Sequence, residues 1–594
     1  MSPGGDFRRT QGSYPKRGRG ARVPSFAGAA ALALLVVAAL GSSACTSVFD
    51  EADAHADMEF GSTGGDSTPT TTTGDGTTDD ETTTPATSTS TSSSSTTAPP
   101  VEDEPPSIID LRVGGSVEPG VFSTPGLLHV VAEVEDDDEE PPVVVFYESR
   151  DGGEWEEAAT ISEPPYAYTI EITGADYSNG ERSVRAVARE QLAGPDADEA
   201  GPIDFEIAVP AGGTQWWSTS RGTALGDSEA LDVAFDGAGN LYVTGYTSQV
   251  EGGRAVWVAR YLASGQLQWE TEVQRADKDL SVGRGVAVDS QGNVLVVGSI
   301  QQLDGQIDYG APELYAARYD PAGALAWETS PGKFDLRAGY AVEIDDSDNL
   351  VLTGYRYVNG LDEDVLLMGI NGDSGSQRFS FSFGGERRDV GNDIALTADG
   401  DAVIAGTLRT VDDYTRAFVR KHDLQSDSKD TLWEWESDAN SESHQDEALS
   451  IAVLPSQVMV VAGSKRALPS GTPRRIAFDL LPSGDFSGEL DLELWNQYGP
   501  EAMRGVGVNH QGRLALTGVV SRPQGSREAW TQYRLSPELY AWTEPESDPV
   551  GALEISTEAN AVAVGPFGTV AIAGYVTDEE LPDRRIIMLR SYYP

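Results

Sequence analysis

The sequence predicts an all-β protein, in which a seven-bladed β-propeller follows a small β-sandwich, and three observations predict it. A strand that ends in glycine recurs seven times after residue 211, at intervals of 52 to 57 residues. A period near 50 residues in β-rich sequence is typical of propeller blades. One further strand precedes the first repeat, and short strands with a different spacing fill residues 106–210.

Each repeat of residues 211–594 is interpreted as four strands. The first is small and apolar, and a hairpin turn such as DGAGN at 236–240 supplies the Gly and Asn that accept positive φ. The third strand follows a variable loop, and the fourth centres on tryptophan in five of its six copies, with Phe379 in the other. The second strand ends at Gly245, Gly298, Gly354, Gly406, Gly463, Gly518 and Gly574.

The count of strands predicts how the ring closes. Strands one to three occur seven times, but the sequence reaches Pro594 directly after the seventh third strand. Gln215–Thr219, ahead of the first repeat, has the sequence of a fourth strand. Trp217 lies 28 residues before the next strand-two glycine, and the equivalent distances are 29 for Trp269 and 27 for Trp327. We therefore expect the N-terminal strand to complete the last blade, which leaves no blade edge open.

The segment DGAGNLYVTG at 236–245 is similar to the bacterial β-propeller repeat built on D-x-x-G-N-x-Y-V-T-G. This resemblance extends over about 212–594 and implies the fold. Members of that family are mostly extracytoplasmic proteins without an assigned chemistry, and a fold does not fix a function. The resemblance therefore leaves the activity open.

Residues 106–210 predict the β-sandwich. Runs such as SIIDLRV, LLHVVAEVE and PPVVVFYES alternate with turn-forming segments at the spacing of short strands. The pattern resembles the bacterial Ig-like and fibronectin-like modules that serve as spacers on surface proteins. The acidic run at 135–140 either holds Ca²⁺ or forms a solvated turn, and its sequence lacks the spacing of an EF-hand.

The first 44 residues predict an export signal. An apolar run of 15 residues at 26–40 is shorter than a membrane span and fits the central region of a signal peptide. The small residues after it, followed by Cys45, resemble the lipobox of bacterial lipoproteins, although Ser42 stands where that family usually has Leu. The resemblance implies cleavage and lipidation at Cys45, and Thr46 after it implies the outer membrane. The alternative is an ordinary signal peptide cut at or near Ala44.

Residues 45–105 predict a disordered tether. The segment is rich in Ser, Thr, Pro and Asp and has too few apolar residues to offset the entropy lost on ordering. We expect it to hold the folded part away from a membrane that the chain touches only through its lipid anchor. We also expect a monomer.

Composition excludes several classes of function. A formal net charge of −54 repels phosphate backbones, so we expect no nucleic-acid partner. Cys45 is the single cysteine, which leaves no disulfide framework and no thiolate metal site. The five histidines lack the spacing of a zinc site, and no nucleophile or phosphate-binding motif is present. We expect no cofactor, with Ca²⁺ as the one open possibility.

Two functions remain for the propeller. The first is a non-enzymatic module of the cell envelope that binds a protein or a glycan, for adhesion, recognition or scaffolding. The fourth-strand tryptophans either pack the blades or stack on sugars, and Trp216, Trp257 and Trp530 depart from that pattern as candidate partner-binding aromatics. The alternative is an extracytoplasmic enzyme, either a polysaccharide hydrolase or lyase with converging carboxylates, or a quinoprotein-like dehydrogenase. YDPAGALAW at 319–327 is similar to the tryptophan-docking repeat of quinoproteins, but the chain has seven predicted blades where those enzymes have eight.

Overall fold

The computed structural model describes residues 105–594 with short gaps. The gaps are 137–139, 175–177, 275–279, 302–311, 332–336, 359–361, 386, 411–413, 438–443, 468–473, 491–498, 522–526, 537–539, 546–555 and 578–583. The predicted signal peptide, Cys45, nearly all of the predicted tether and half of the acidic run at 135–140 lie outside the described residues. All described residues belong to one compact unit, Thr97–Pro594. Among them, no helix has the length and hydrophobicity that crossing a membrane requires.

The first eight strands form the predicted β-sandwich. Their bounds are β1 Ser107–Val113, β2 Val121–Phe122, β3 Gly126–Glu135, β4 Val143–Arg150, β5 Glu156–Ile161, β6 Tyr166–Ile172, β7 Gly180–Arg189 and β8 Asp198–Ile207. One sheet has the order β1-β3-β6 and the other β2-β8-β7-β4-β5. Alternate residues of β3 are buried, as two-sheet packing requires, and Val130, Val144 and Phe146 are fully buried between the sheets.

The remaining strands form seven blades around a channel. They are β9 Gln215–Arg221; β10 Glu229–Phe235, β11 Leu241–Ser248, β12 Arg254–Tyr261, β13 Leu267–Val273; β14 Leu280–Val288, β15 Val294–Gln301, β16 Glu313–Tyr319, β17 Leu325–Thr329; β18 Arg337–Ile344, β19 Leu350–Val358, β20 Asp362–Ile370, β21 Gln377–Phe383; β22 Val390–Leu396, β23 Ala402–Arg409, β24 Thr415–His422, β25 Thr431–Glu436; β26 His444–Val453, β27 Met459–Ala467, β28 Arg474–Leu480, β29 Phe486–Glu489; β30 Gly499–Val508, β31 Leu514–Ser521, β32 Arg527–Arg534, β33 Tyr540–Pro545; and β34 Thr557–Val564, β35 Val570–Thr577, β36 Arg585–Tyr592. From β10 onward each successive antiparallel set is one blade, which confirms the predicted fold class.

The seventh blade is completed from the other end of the propeller segment. Its strand order is β34-β35-β36-β9, so β9 supplies the fourth strand as predicted. The turn between its third and fourth strands is split between Tyr593 and Gly213, whose N–H donates to the Tyr593 carbonyl oxygen at 3.1 Å. In the first blade, Gly265 donates to Leu262 at 2.8 Å in the same way. The two parts of the chain thus rebuild one standard turn.

A bulge recurs in the inner strand of every blade. The register between strands one and two shifts opposite the strand-two glycine in all seven blades, so one inner-strand residue is left over. The bulge brings an inner-strand carbonyl oxygen close to that glycine. A Cβ atom added to the glycine would lie between 1.9 and 2.5 Å from that oxygen. This contact explains why each repeat has glycine there.

Candidate functional site

The predicted partner-binding aromatics are buried. Trp257 is 0% exposed and Trp530 is 3% exposed, so neither ring reaches the surface of the structure. Each lies on strand three opposite the glycine of strand two, at Gly245 and Gly518, where the missing side chain leaves room for an indole. Trp257 also donates its indole N–H to Glu270 at 3.0 Å. The expectation that these two rings form a binding surface is therefore wrong.

The fourth-strand tryptophans lie between blades. In four of them the indole N–H donates to a turn carbonyl of the next blade, and the ring covers the glycine of that turn, whereas the indole N–H of Trp542 is buried without a partner among the described residues. For Trp269, the hydrogen bond to Pro321 measures 3.0 Å, and a Cβ on Gly323 would lie 2.6 Å from the ring. The equivalent hydrogen bonds are Trp217 to Ala263 at 2.9 Å, Trp327 to Gly372 at 2.6 Å and Trp433 to Pro482 at 3.0 Å. These rings were predicted either to pack the blades or to stack on sugars, and in the structure they pack the blades.

The inner strands of all seven blades enclose a cavity of about 550 Å³ along the propeller axis. This volume lies in the range of small-molecule sites. The residue left over at each bulge lines the cavity, so the seven bulges form a ring, which we call the channel ring. It consists of Leu231, Arg284, Tyr340, Asn392, Leu449, Arg504 and Asn560. Five of these seven side chains are polar, and they come from five different blades.

Three polar members of the channel ring join neighbouring blades. Asn392 donates to the Ala448 carbonyl oxygen of the next blade at 2.8 Å, and Asn560 donates to that of Ala230 at 3.0 Å. Arg504 donates to the Asn560 side-chain oxygen at 2.7 Å. The two asparagine hydrogen bonds satisfy backbone carbonyl groups on the open edges of inner strands, which would otherwise be unpaired in the channel.

A second set of polar side chains satisfies the N–H groups on the open edges of the inner strands. These side chains belong to the residue directly after the bulge, and three of them accept a hydrogen bond from the inner strand of the next blade. The bonds run from Val286 N–H to Asp232 at 2.8 Å, from Ile451 N–H to Asp393 at 2.8 Å and from Val506 N–H to Ser450 at 3.0 Å. Both aspartates thus have a structural role.

Three carboxyl groups line the channel, and burial is the main reason why the pKa of each is raised. It raises the pKa of Asp232 to about 7 and that of Asp393 to about 6, although their hydrogen bonds act in the other direction. Burial, with added repulsion from both aspartates, raises the pKa of Glu343 to about 8. Glu343 occupies a position at which the other blades have Ala234, Ala287, Ala395, Ala452, Gly507 and Ala563.

The acidic run at 135–140 lies half outside the described residues, so its two interpretations, Ca²⁺ binding and a solvated turn, both stay predictions. No group of three or more His, Cys, Asp or Glu residues that could hold a metal ion occurs among residues 105–594 outside the gaps. In the Asp-rich turn at 345–349, Asp345 accepts hydrogen bonds from the N–H groups of Ser347 and Asn349, and it forms an ion pair with Arg378 at 2.7 Å. Its carboxylate stabilises the turn.

Sequence reasoning did not find the channel residues. The signal was present in the aligned inner strands LDVAF, YAVEI and NDIAL, in each of which an acid replaces the small residue of the other repeats. The sequence does not reveal the bulge, because a register shift between two strands leaves no direct mark in the sequence of either strand. Without it, these acids are indistinguishable from solvent-facing ones.

No protein-family model matches this sequence, and no curated protein matches it. One solved structure with which the chain was aligned is the crystal structure of xylan beta-1,4-xylosidase from Bacillus halodurans C-125. The match covers 81% of this chain and 97% of that chain, at 9% sequence identity and a TM-score of 0.25. At this TM-score the likeness carries no argument about activity.

Proposed function

We propose that this chain is a non-enzymatic lipoprotein of the cell envelope, whose propeller binds a protein or a glycan. One observation supports this most directly. The fourth-strand tryptophans that recur in the repeats make contacts between blades, whereas the side chains of the channel ring differ from blade to blade. A constant frame that presents varied side chains is typical of binding proteins.

The anchoring part of the proposal depends on Cys45. Lipidation there, at the end of the tether, would place the propeller at the outer membrane as a monomer. Mass spectrometry of the membrane fraction should find a diacylated Cys45, and the variant Cys45→Ser should be released from membranes. A chain cut at Ala44 with a free Cys45 thiol would contradict this part of the proposal and leave the binding function intact.

The binding function can be tested on the purified chain carrying Cys45→Ser, by glycan array and by pull-down from envelope extracts, with and without Ca²⁺. We expect one saturable partner or glycan class. Binding that requires Ca²⁺ would assign a cation to the complex. Failure to retain any glycan or protein at micromolar concentration would contradict the proposal.

A second function is favoured by the three carboxyl groups in one channel. Glycoside hydrolysis uses one protonated and one ionised carboxyl group, and Glu343 and Asp393 have pKa values of about 8 and 6. Against this, Asp232 and Asp393 are held by backbone N–H groups of the next blade. Release of reducing sugar from a polysaccharide, abolished in Glu343→Gln, would establish the hydrolase and displace the binding proposal.

A further inference from the structure

The polar side chains of the channel fall into two groups. Asp232, Asp393, Ser450, Asn392, Asn560 and Arg504 all join one blade to the next. Arg284, Tyr340 and Glu343 form no hydrogen bond to a neighbouring blade in the described part of the chain. These three lie on the inner strands of two adjacent blades, β14 and β18, so they form one wall of the channel. We call them the free wall.

Arg284 is the most unusual member of the free wall. Its guanidinium group lies 4.5 Å from the ring centre of Tyr340, and within the described residues it forms no ion pair. Its Nε atom is buried without a hydrogen-bond partner. The chain has 95 acidic and 41 basic residues, so an arginine without a carboxylate is notable. A buried donor without a partner costs free energy that a ligand could recover.

The other two members extend the free wall along β18. Tyr340 packs edge-on against Tyr355, with ring centres 5.6 Å apart, and its hydroxyl donates no hydrogen bond within the described residues. Among the described residues, Glu343 accepts a hydrogen bond only from its neighbour Ile344. Three residues of strand separate Tyr340 from Glu343 by about 10 Å, so a ligand that contacts both is larger than a single small ion.

From this wall we infer that the channel binds an acidic saccharide, with the sugar carboxylate on Arg284 and sugar hydroxyl groups toward Tyr340 and Glu343. This inference rests on the proposed binding function and names its ligand class. Guanidinium binds a carboxylate through two parallel hydrogen bonds, and a tyrosine beside it offers a hydroxyl group and an aromatic face. At neutral pH the Glu343 carboxyl group is mostly protonated, since its pKa is about 8, and can donate to a sugar oxygen.

The test is calorimetric titration of the purified chain carrying Cys45→Ser with three probes: a trimer of galacturonic acid, a neutral trisaccharide of similar size, and acetate. We expect saturable binding of the acidic trimer only. In Arg284→Gln, affinity for this trimer should fall roughly tenfold or more, because one charge-assisted pair is lost. Tyr340→Phe keeps the ring contact and should weaken binding by a smaller factor.

The matched control is Arg254→Gln. Arg254 also lies over a tyrosine ring, 4.0 Å from the centre of Tyr246, but it does not line the channel. This variant should bind the acidic trimer as the parent chain does, and circular dichroism checks that every variant is folded. If Arg284→Gln is unfolded, Tyr340→Phe decides, and unchanged affinity there overturns the inference.

Three outcomes would overturn the inference. They are equal binding of the neutral trisaccharide, binding of acetate alone as an adventitious ion only, and no binding of any probe. If the chain nevertheless retains another glycan or a protein on the array, the proposed function stands and only the ligand class is wrong. If no glycan or protein is retained either, both the proposed binding function and the inferred ligand class are wrong.

Discussion

At the scale of single residues, the recurring glycine of strand two is explained by a steric contact. In the third blade, a Cβ on Gly354 would lie 2.0 Å from the Ala338 carbonyl oxygen, a backbone atom that cannot move without disturbing the bulge. Since the bulge carries Tyr340 into the channel ring, the glycine and the candidate site depend on one another. A repeat motif that identifies the fold thus also shapes the channel.

We expect Gly354→Ala to lower the free energy of unfolding by about 1–3 kcal/mol, the usual cost of forcing extra volume into a packed site. The matched control is Gly237→Ala, because a Cβ at Gly237 would meet no atom within 4 Å. Urea denaturation of both variants measures the difference. Equal midpoints for the two variants would show that the bulge accommodates a methyl group.

The pKa of Glu343 predicts how stability changes with pH. The pKa is about 8 in the folded chain, against an ordinary value of about 4.3 for an unfolded glutamate, so the folded state holds the proton more tightly. The free energy of unfolding should therefore fall as pH rises from about 4 to 8. Glu343→Gln should make this fall shallower, and Asp232 and Asp393 should retain part of it.

Urea midpoints at pH 5, 7 and 9 measure this dependence. Glu181→Gln is the control, since Glu181 is exposed on the sandwich and faces solvent. A pH profile for Glu343→Gln that matches the parent chain would mean that Glu343 is ionised and solvated at neutral pH.

At the scale of elements, neighbouring blades are joined by two kinds of contact. On the outside, an indole of the fourth strand packs on the turn glycine of the next blade, as Trp269 does on Gly323. Along the channel, Asp232 and Asp393 accept hydrogen bonds from the inner strand of the next blade. Each blade is thus fixed to its neighbour at both its outer and its inner strand.

Trp269→Phe separates the two parts of the outer contact. The phenyl ring keeps the packing on Gly323 but cannot donate to the Pro321 carbonyl oxygen, so we expect a loss of about 1 kcal/mol. Trp155→Phe on the sandwich is the control, because Trp155 is 37% exposed, and it should change stability by less than about 0.5 kcal/mol. Thermal unfolding compares them. If the two variants lose equal stability, the indole hydrogen bond contributes nothing.

At the scale of the whole molecule, the sandwich contacts the propeller at the point where the ring closes. Tyr593, from the split turn of the seventh blade, is 8% exposed and packs in the sandwich core. Its ring stacks on Trp216 of β9, with centres 5.3 Å apart. Gln511 of the sixth blade donates to Glu171 of the sandwich at 2.6 Å. The sandwich is therefore packed against the closing strand.

We expect Tyr593→Ala to destabilise the closing blade and the sandwich together. Hydrogen exchange of the β9 and β36 backbone amides and of the β1–β3 sheet should accelerate, since one ring contributes to both cores. Tyr593→Phe keeps the stack on Trp216 and is the matched control. Faster exchange in the sandwich alone, with β9 and β36 unchanged, would show that closure does not depend on this contact.

The sequence by itself determined the blades, their number and the exchange of a strand between first and last. These features follow from local patterns, namely a glycine at fixed intervals, hairpin turns, a fourth-strand tryptophan and one strand left over. Local patterns suffice because each blade is built from strands that are consecutive in the chain.

Only the tertiary structure decided which side chains meet. Trp257 and Trp530 were expected to face a partner, but both are buried where a glycine leaves room on the adjacent strand. Arg284 and Glu343 belong to different repeats and line one channel because the inner strands of all seven blades surround a common axis. Such contacts depend on register shifts and on the closure of the ring. A sequence read one repeat at a time does not contain either.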